Sequence, residues 1–332
     1  MNARWIVALG LVLVALPAAA QTNDVVTVAQ TLSLAQAPYY VALEKGYFTA
    51  EHINVQSDAQ RGAQDTVAML ATGRLDVSVG GISAGFYNAQ NQGLDLRAVA
   101  ALGIQPSPVV ATPAVARKDL WDSGAIRSGK DFRGRKVASN VPGAIPEYLI
   151  YVILQKYGMT MKDIDETFVG FPQMLIALKN KALDVAILPE PFTNTAVRQG
   201  LGVVIPSESG VGSGEITTMV FFSGKFMRER PDVGVRFLRA IVRAARETQG
   251  DFTKKPDLVA ALATQLKLTP EAVRDSVASY FDPDLDIAKY EASTQRQELV
   301  YIKIGRLHYS TPLPMDRLVD ATLVHKAAAS LK

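Results

Sequence analysis

The tightest cluster of residues that could do chemistry is Gly81-Ile82-Ser83-Ala84-Gly85. It fits the G-x-S-x-G nucleophile elbow, a sharp strand-to-helix turn that exposes a serine hydroxyl for acyl transfer. A hydrolase built on Ser83 needs an acid and then a histidine later in the chain, and His308 and His325 are the histidines that follow. Both fall in a stretch of helical period rather than in a loop after a strand, and no His-Gly-Gly-Gly loop precedes Ser83 to form an oxyanion hole. Ser83 therefore reads as a helix cap whose hydroxyl and neighbouring amides are available to a ligand. A secreted serine hydrolase is kept as the competing enzymatic reading.

Other catalytic classes find less support. His52, His308 and His325 are far apart and lack the i, i+4 partner of a zinc helix, and the chain has no cysteine for thiolate sites or thiol nucleophiles. There is no Gly-rich lysine loop for nucleotide phosphates. No metal and no cofactor is implied. Arg61 follows the second predicted strand and either clamps an anion with its planar guanidinium or sits in water. Glu190, framed by Pro189 and Pro191, either aims a carboxylate at a ligand donor or serves as a turn residue. Tyr39, Phe86, Phe171 and Phe192 either stack on a planar ligand or pack at element ends.

These residues gain meaning from the elements that must carry them. From Val25 to Pro206, short β-branched runs alternate with longer segments of helical period, the pattern of a parallel sheet flanked by helices. Predicted strands are Val25–Thr31, Ile53–Ser57, Asp76–Val79, Leu96–Ala101, Lys136–Ser139, Thr167–Phe171, Asp184–Leu188 and Gly202–Ile205. Pro38 and Pro146 mark helix starts; Gly46, Gly93, Gly158 and Gly200 follow helix ends. In open α/β sheets, ligands bind beyond the carboxyl ends of strands, where helix N-termini present free amides. That rule nominates four turns: Ser33–Tyr39, Gly80–Gly85, Asn140–Ala144 and Pro189–Phe192. Within them and beside them the candidate ligand contacts are Gln36, Tyr39, Arg61, Gly81, Ser83, Asn140, Gly143 and Glu190.

The stretch from Met69 to Val79 echoes the one from Ala177 to Ile187, each reading helix end, turn, then a Leu-Asp-Val strand. This suggests two α/β lobes of one plan. The proline-rich stretch Gly103–Ala116 and the Ser/Gly-rich stretch Ser207–Gly214 are the expected crossovers, side by side as a hinge. The lobes are then 21–112 with 218–332, and 113–217.

Residues 1–20 stand apart. Arg4 leads into an apolar run from Trp5 to Leu16, then Pro17 and Ala18-Ala19-Ala20, the layout of a secretory leader cleaved after Ala20. Its run is shorter than the roughly 20 residues that span a bilayer. Losing Arg4 lowers the formal net charge of +3 by one. So small a charge, with no basic stripe interleaved with aromatics, excludes nucleic acid as the expected partner.

Taken together, Ala37-Pro38-Tyr39-Tyr40-Val41-Ala42-Leu43-Glu44-Lys45-Gly46-Tyr47-Phe48, Ala71–Val77, Phe132–Ala138 and Pro189-Glu190-Pro191-Phe192 resemble the nitrate/sulfonate/taurine class of ABC-importer binding proteins. The resemblance covers nearly the whole chain after the leader. It implies a type II periplasmic-binding-protein fold, two Rossmann-like lobes with two hinge crossovers and a ligand held between them. It also implies a monomeric, non-enzymatic periplasmic carrier that delivers a small molecule to an inner-membrane permease and its ATPase. Ligands of that class include nitrate, sulfonates, taurine, aromatic carboxylates and pyrimidine vitamin precursors. Ala59-Gln60-Arg61-Gly62 favours a charged anion, whereas Glu190 favours a ligand with a donor, so the expected solute is anionic or zwitterionic. Related pyrimidine-synthesising proteins use a cysteine-rich motif that this chain lacks.

Overall fold

The β-branched and alanine-rich runs become strands and the periodic segments become helices over residues 23–60 and 66–331, which the computed structural model describes. The expected leader at 1–20 and the candidate contact Arg61 lie outside the described residues. The strands are β1 (Asp24–Thr31), β2 (Ile53–Gln60), β3 (Val77–Gly80), β4 (Leu96–Ala101), β5 (Ala114–Arg117), β6 (Lys136–Ser139), β7 (Asp165–Phe168), β8 (Val185–Ile187), β9 (Gly202–Val204) and β10 (Met219–Ser223). Helices α1 (Ala37–Glu44), α2 (Tyr47–Ala50), α3 (Val67–Ala71), α4 (Ala84–Asn91), α5 (Lys118–Asp122), α6 (Ile145–Lys156), α7 (Phe171–Lys179) and α8 (Phe192–Arg198) lie among them. The helical tail carries α9 (Gly224–Glu229), α10 (Pro231–Glu247), α11 (Pro256–Leu266), α12 (Pro270–Arg274), α13 (Glu291–Lys303), α14 (Met315–Leu318) and α15 (Thr322–Ala329).

Two sheets form, in the orders β2-β1-β3-β10-β4 and β7-β6-β8-β5-β9. One order maps onto the other strand for strand. The sheets are mixed rather than parallel: β10 runs antiparallel to β3 and β4, and β5 antiparallel to β8 and β9. The reason lies in the connections. Both reversed strands are those adjoining a crossover, so their direction is set by where the chain enters a sheet, which an apolar run such as Met219-Val220-Phe221-Phe222 does not encode.

The repeated Leu-Asp-Val acquires a structural role in both lobes. The Asp76 carboxylate accepts the Thr27 amide of β1 at 3.0 Å, and the Asp184 carboxylate accepts the Lys136 amide of β6 at 3.0 Å. Each aspartate thus ties the start of its strand to the central strand beside it. The residues ending the preceding helices, Gly73 and Lys181, both take left-handed backbone at φ +66° and +57°.

One core lies between the first sheet and the helical tail. Phe237 of α10 is fully buried there, its ring 4.8 Å from that of Phe48 and 5.9 Å from that of Phe222. A second core crosses between lobes, with Ile145, Tyr148 and Leu149 of α6 sharing it with Phe86 and Tyr87 of α4 and Tyr301 of α13.

The two crossovers run side by side in opposite directions. Ile104 bridges Ile216, the Thr217 amide donates to the Gly103 carbonyl at 2.7 Å, and the Gln105 amide donates to the Glu215 carbonyl at 2.9 Å. Gly103 is required by close approach: a Cβ there would stand 2.6 Å from the Ala35 carbonyl oxygen. A paired ribbon with its torsional freedom confined to a few residues is the geometry of a hinge between two lobes.

Candidate ligand-binding cleft

The carboxyl ends of β1, β3, β6 and β8 meet at the seam between the sheets and line a cleft. The first lobe contributes Thr31, Ser33, Ala35 and Gly81. Asn140, Ala144, Ile145, Pro146, Phe171 and Pro189 come from the second lobe. Thr112, Thr217 and Thr218 come from the hinge side. Each nominated turn therefore supplies wall. Among the described residues no charged side chain lines the cleft.

The polar groups are pre-set by their neighbours. Gln36 donates its amide to the Thr31 hydroxyl, so that hydroxyl keeps its own proton to give onward. The Thr217 hydroxyl donates to the Gly103 carbonyl at 3.0 Å and keeps lone pairs free. Ile145 and Phe171 are the first residues of α6 and α7, so two helices open onto the cleft with their positive ends. Phe171 was expected to end a strand. Pro172 instead sets the first helical turn, moving the ring from a strand end to the cleft wall, where Phe192 backs it at 5.7 Å between centroids.

Gly81 and Asn140 line the cleft, but several other nominated residues serve elsewhere. Tyr39 is fully buried, its hydroxyl donating to Ser57 at 3.0 Å, and burial holds the phenol well above its ordinary range. Gln36 is buried behind Thr31. Ser83 sits at the N-cap of α4, but its hydroxyl makes no capping bond; it is buried without a partner and lines a smaller cavity with Ser78, Phe86 and Phe221. No histidine bonds to that hydroxyl. The His325 ring instead meets Asp286 at 2.9 Å, and His308 is held through its main-chain amide by Asn88. The amides expected to greet a ligand are also engaged: that of Ala84 donates to the Gly143 carbonyl at 2.8 Å, and that of Gly143 to the Glu147 carboxylate. Gly143 is thus a contact between lobes.

Glu190 turns away from the cleft. Its carboxylate accepts the amides of Asn194 at 3.1 Å and Val277 at 3.3 Å, while its own carbonyl accepts the Leu34 amide at 3.0 Å. It is a seam residue, buried at 4% exposure, and that burial pushes it up to about 7 against the pull of the two amides. A carboxyl raised in the folded state contributes stability that is complete below the ordinary carboxylate range and lost as pH rises through about 7. Replacement by Glu190→Gln should therefore flatten part of the fall in Tm between pH 5 and pH 8. Calorimetry showing the same slope in both proteins would refute this.

The comparisons with known proteins agree with this architecture. The NMT1-like family model matches residues 20–263, a span that takes in every strand of both sheets. The chain belongs to the NMT1-like family. YtlA of Bacillus subtilis is 25% identical over 312 residues, covering 90% of this chain and 88% of YtlA. The riboflavin-binding protein RibY of Chloroflexus aurantiacus is 27% identical over 267 residues, covering 77% of this chain and 70% of RibY. The periplasmic nitrate-binding protein NrtA from Synechocystis PCC 6803 shares the fold at a TM-score of 0.77 and 17% identity, over 93% of this chain and 89% of that one. This NMT1-like chain therefore has the two-lobe α/β fold of periplasmic binding proteins. Among the described residues no helix is long and apolar enough to cross a membrane.

Sequence reasoning missed Thr31, Thr112, Thr217 and Thr218 as wall residues. Thr112 lies within, and Thr217 just beyond, the stretches named as crossovers. Placing both crossovers beside the strand ends would have brought these residues to the cleft.

Proposed function

We propose that this protein is the solute-binding component of an ABC-type importer, exported to the periplasm by its leader, and that its cleft closes on one small organic molecule. The carrying observation is a cleft walled by strand ends from both lobes and spanned by a two-segment hinge, with no charged side chain among the described lining residues. The occupant that fits best is a planar aromatic or heteroaromatic molecule with oxygen acceptors on one edge. Phe171 offers the stacking face, the helix starts and the Thr31 hydroxyl meet acceptors, and Thr217 accepts from a ring N–H. The kinship with RibY supports this class. An enzymatic reading at Ser83 is disfavoured because that hydroxyl is buried and has no base.

A thermal-shift screen of flavins, pyrimidines, aromatic carboxylates and alkyl sulfonates tests the reading, since a ligand at ~100 times its Kd adds about 2.7 kcal/mol. Failure of all four to raise Tm would overturn it. Phe171→Ala should weaken a planar ligand roughly tenfold by titration calorimetry. The second reading, a sulfonate-like anion as the formal expectation from sequence, draws on the two helix starts. It predicts affinity that is unaffected by Phe171→Ala.

A further inference from the structure

Arg306 lies in the segment after α13, held to the first lobe by Asn88 of α4, which donates to the Arg306 carbonyl at 3.0 Å and accepts the His308 amide at 3.0 Å. Its guanidinium crosses the seam to the second lobe. It meets the Glu147 carboxylate of α6 through Nε at 2.7 Å and again through Nη2, and Nη2 reaches Glu166 of β7 at 2.8 Å. The Glu147 side chain is fully buried and that of Glu166 is 16% exposed. One cation thus faces two carboxyls. The other oxygen of Glu166 is buried and meets no donor. A proton on Glu166 removes one of the two buried negative charges that face Arg306.

The remaining Glu147 oxygen takes the amide of Gly143, whose carbonyl receives the Ala84 amide from the first lobe. The chain of contacts therefore runs from the first lobe through Arg306, Glu147 and Gly143 back to the first lobe, one residue from the cleft wall at Ala144.

We propose that Arg306 is a positioning residue for ligand capture: bound to Glu147 and Glu166 at once, it holds the Gly143 turn against the first lobe and favours the closed cleft. Burial, then the neighbouring Glu147, raises Glu166 to about 8 against the pull of Arg306. Tyr301 of α13 lies near Glu147, and Phe168 of β7 packs on the Arg306 guanidinium at 5.4 Å. Opening hydrates Glu166 and returns it toward the ordinary carboxylate range. The closed state thus binds the proton more tightly, so closure is favoured at low pH and weakens as pH rises to about 8, by at most about tenfold per pH unit.

The test uses ligand-free protein, so its outcome is separate from the choice of ligand. The chain has no cysteine, so Met69→Cys and Ile176→Cys, both at exposed positions on opposite lobes, take a pair of spin labels cleanly. Glu190 titrates at the same seam, so all arms are read in a Glu190→Gln background. The label separation should grow between pH 6 and pH 9 in that background and stay at its pH 6 value after Glu166→Gln. An unchanging separation before that substitution, or the same growth after it, would sink the proposal. Should Glu166→Gln fail to fold, Arg306→Lys replaces it, since lysine keeps the charge but not the fork. Hydrogen exchange, corrected for its intrinsic rate, should then show the Ala84 amide about tenfold less protected at pH 6 than with Arg306. Equal protection would overturn the role.

Discussion

Gly143→Ala is expected to weaken ligand capture by about 5- to 150-fold while both lobes remain folded. The residue is at φ +69°, and a Cβ built on it stands 2.4 Å from the Ala84 Cβ across the seam. Two separate penalties follow. Alanine in left-handed backbone costs about 1–2 kcal/mol whether the lobes are open or closed, because the turn exists in both states. The clash with Ala84 exists only when the lobes meet, and overpacking of that kind costs about 1–3 kcal/mol, which converts directly into lost affinity. Calorimetric titration should show the weaker binding, and a thermal melt should show a smaller loss of stability arising from the backbone alone. An affinity equal to that of the unmodified protein would mean that the Gly143 turn does not meet Ala84 in the bound form.

Phe237→Ala should have the opposite profile, a large loss of stability with little change in binding. The ring is fully buried between Phe48 and Phe222, on the helical-tail side of the first sheet and away from the cleft. Removing a buried phenylalanine costs about 3–5 kcal/mol through lost burial and the cavity left behind. For a protein of this size that lowers Tm on the order of 10 °C. A melt within a degree or two of the parent would show that α10 is not anchored through this ring. Ligand affinity measured well below the melt should stay within about twofold, because contacts more than ~10 Å from a site usually act independently of it.

The parts of the fold that were legible in the sequence are those governed by local chemistry. Leu96–Ala101 and Lys136–Ser139 form strands over the predicted spans because short apolar runs bounded by turn residues leave few alternatives. Pro38 and Pro146 open α1 and α6 since their fixed φ suits a first helical turn. Strand direction was not legible, because β5 and β10 owe theirs to crossovers rather than to composition. Nor was the orientation of individual side chains at the seam. Glu190 stands in a nominated turn, yet its carboxylate is turned aside by two amides, one of them from Val277, far along the chain. Gly143 was read as a ligand contact because a turn glycine frees amides; here Glu147, four residues on, takes its amide. Arg306 offers no local signal whatever, since its partners lie 159 and 140 residues away.

The matching strand orders of the two sheets hide a difference in how each can be assembled. The second sheet draws β5 to β9 from one unbroken run, Ala114–Val204, and is complete once that run is available to fold. The first sheet holds β1 to β4 from the start of the chain but lacks its fourth member until Met219–Ser223 arrives to fill the slot between β3 and β4. Until then two strand edges stand open, and open edges invite pairing with other chains. Folding in chain order from the N-terminus therefore leaves the first sheet waiting for β10, and the vulnerable interval lasts as long as residues 102–218 take to arrive.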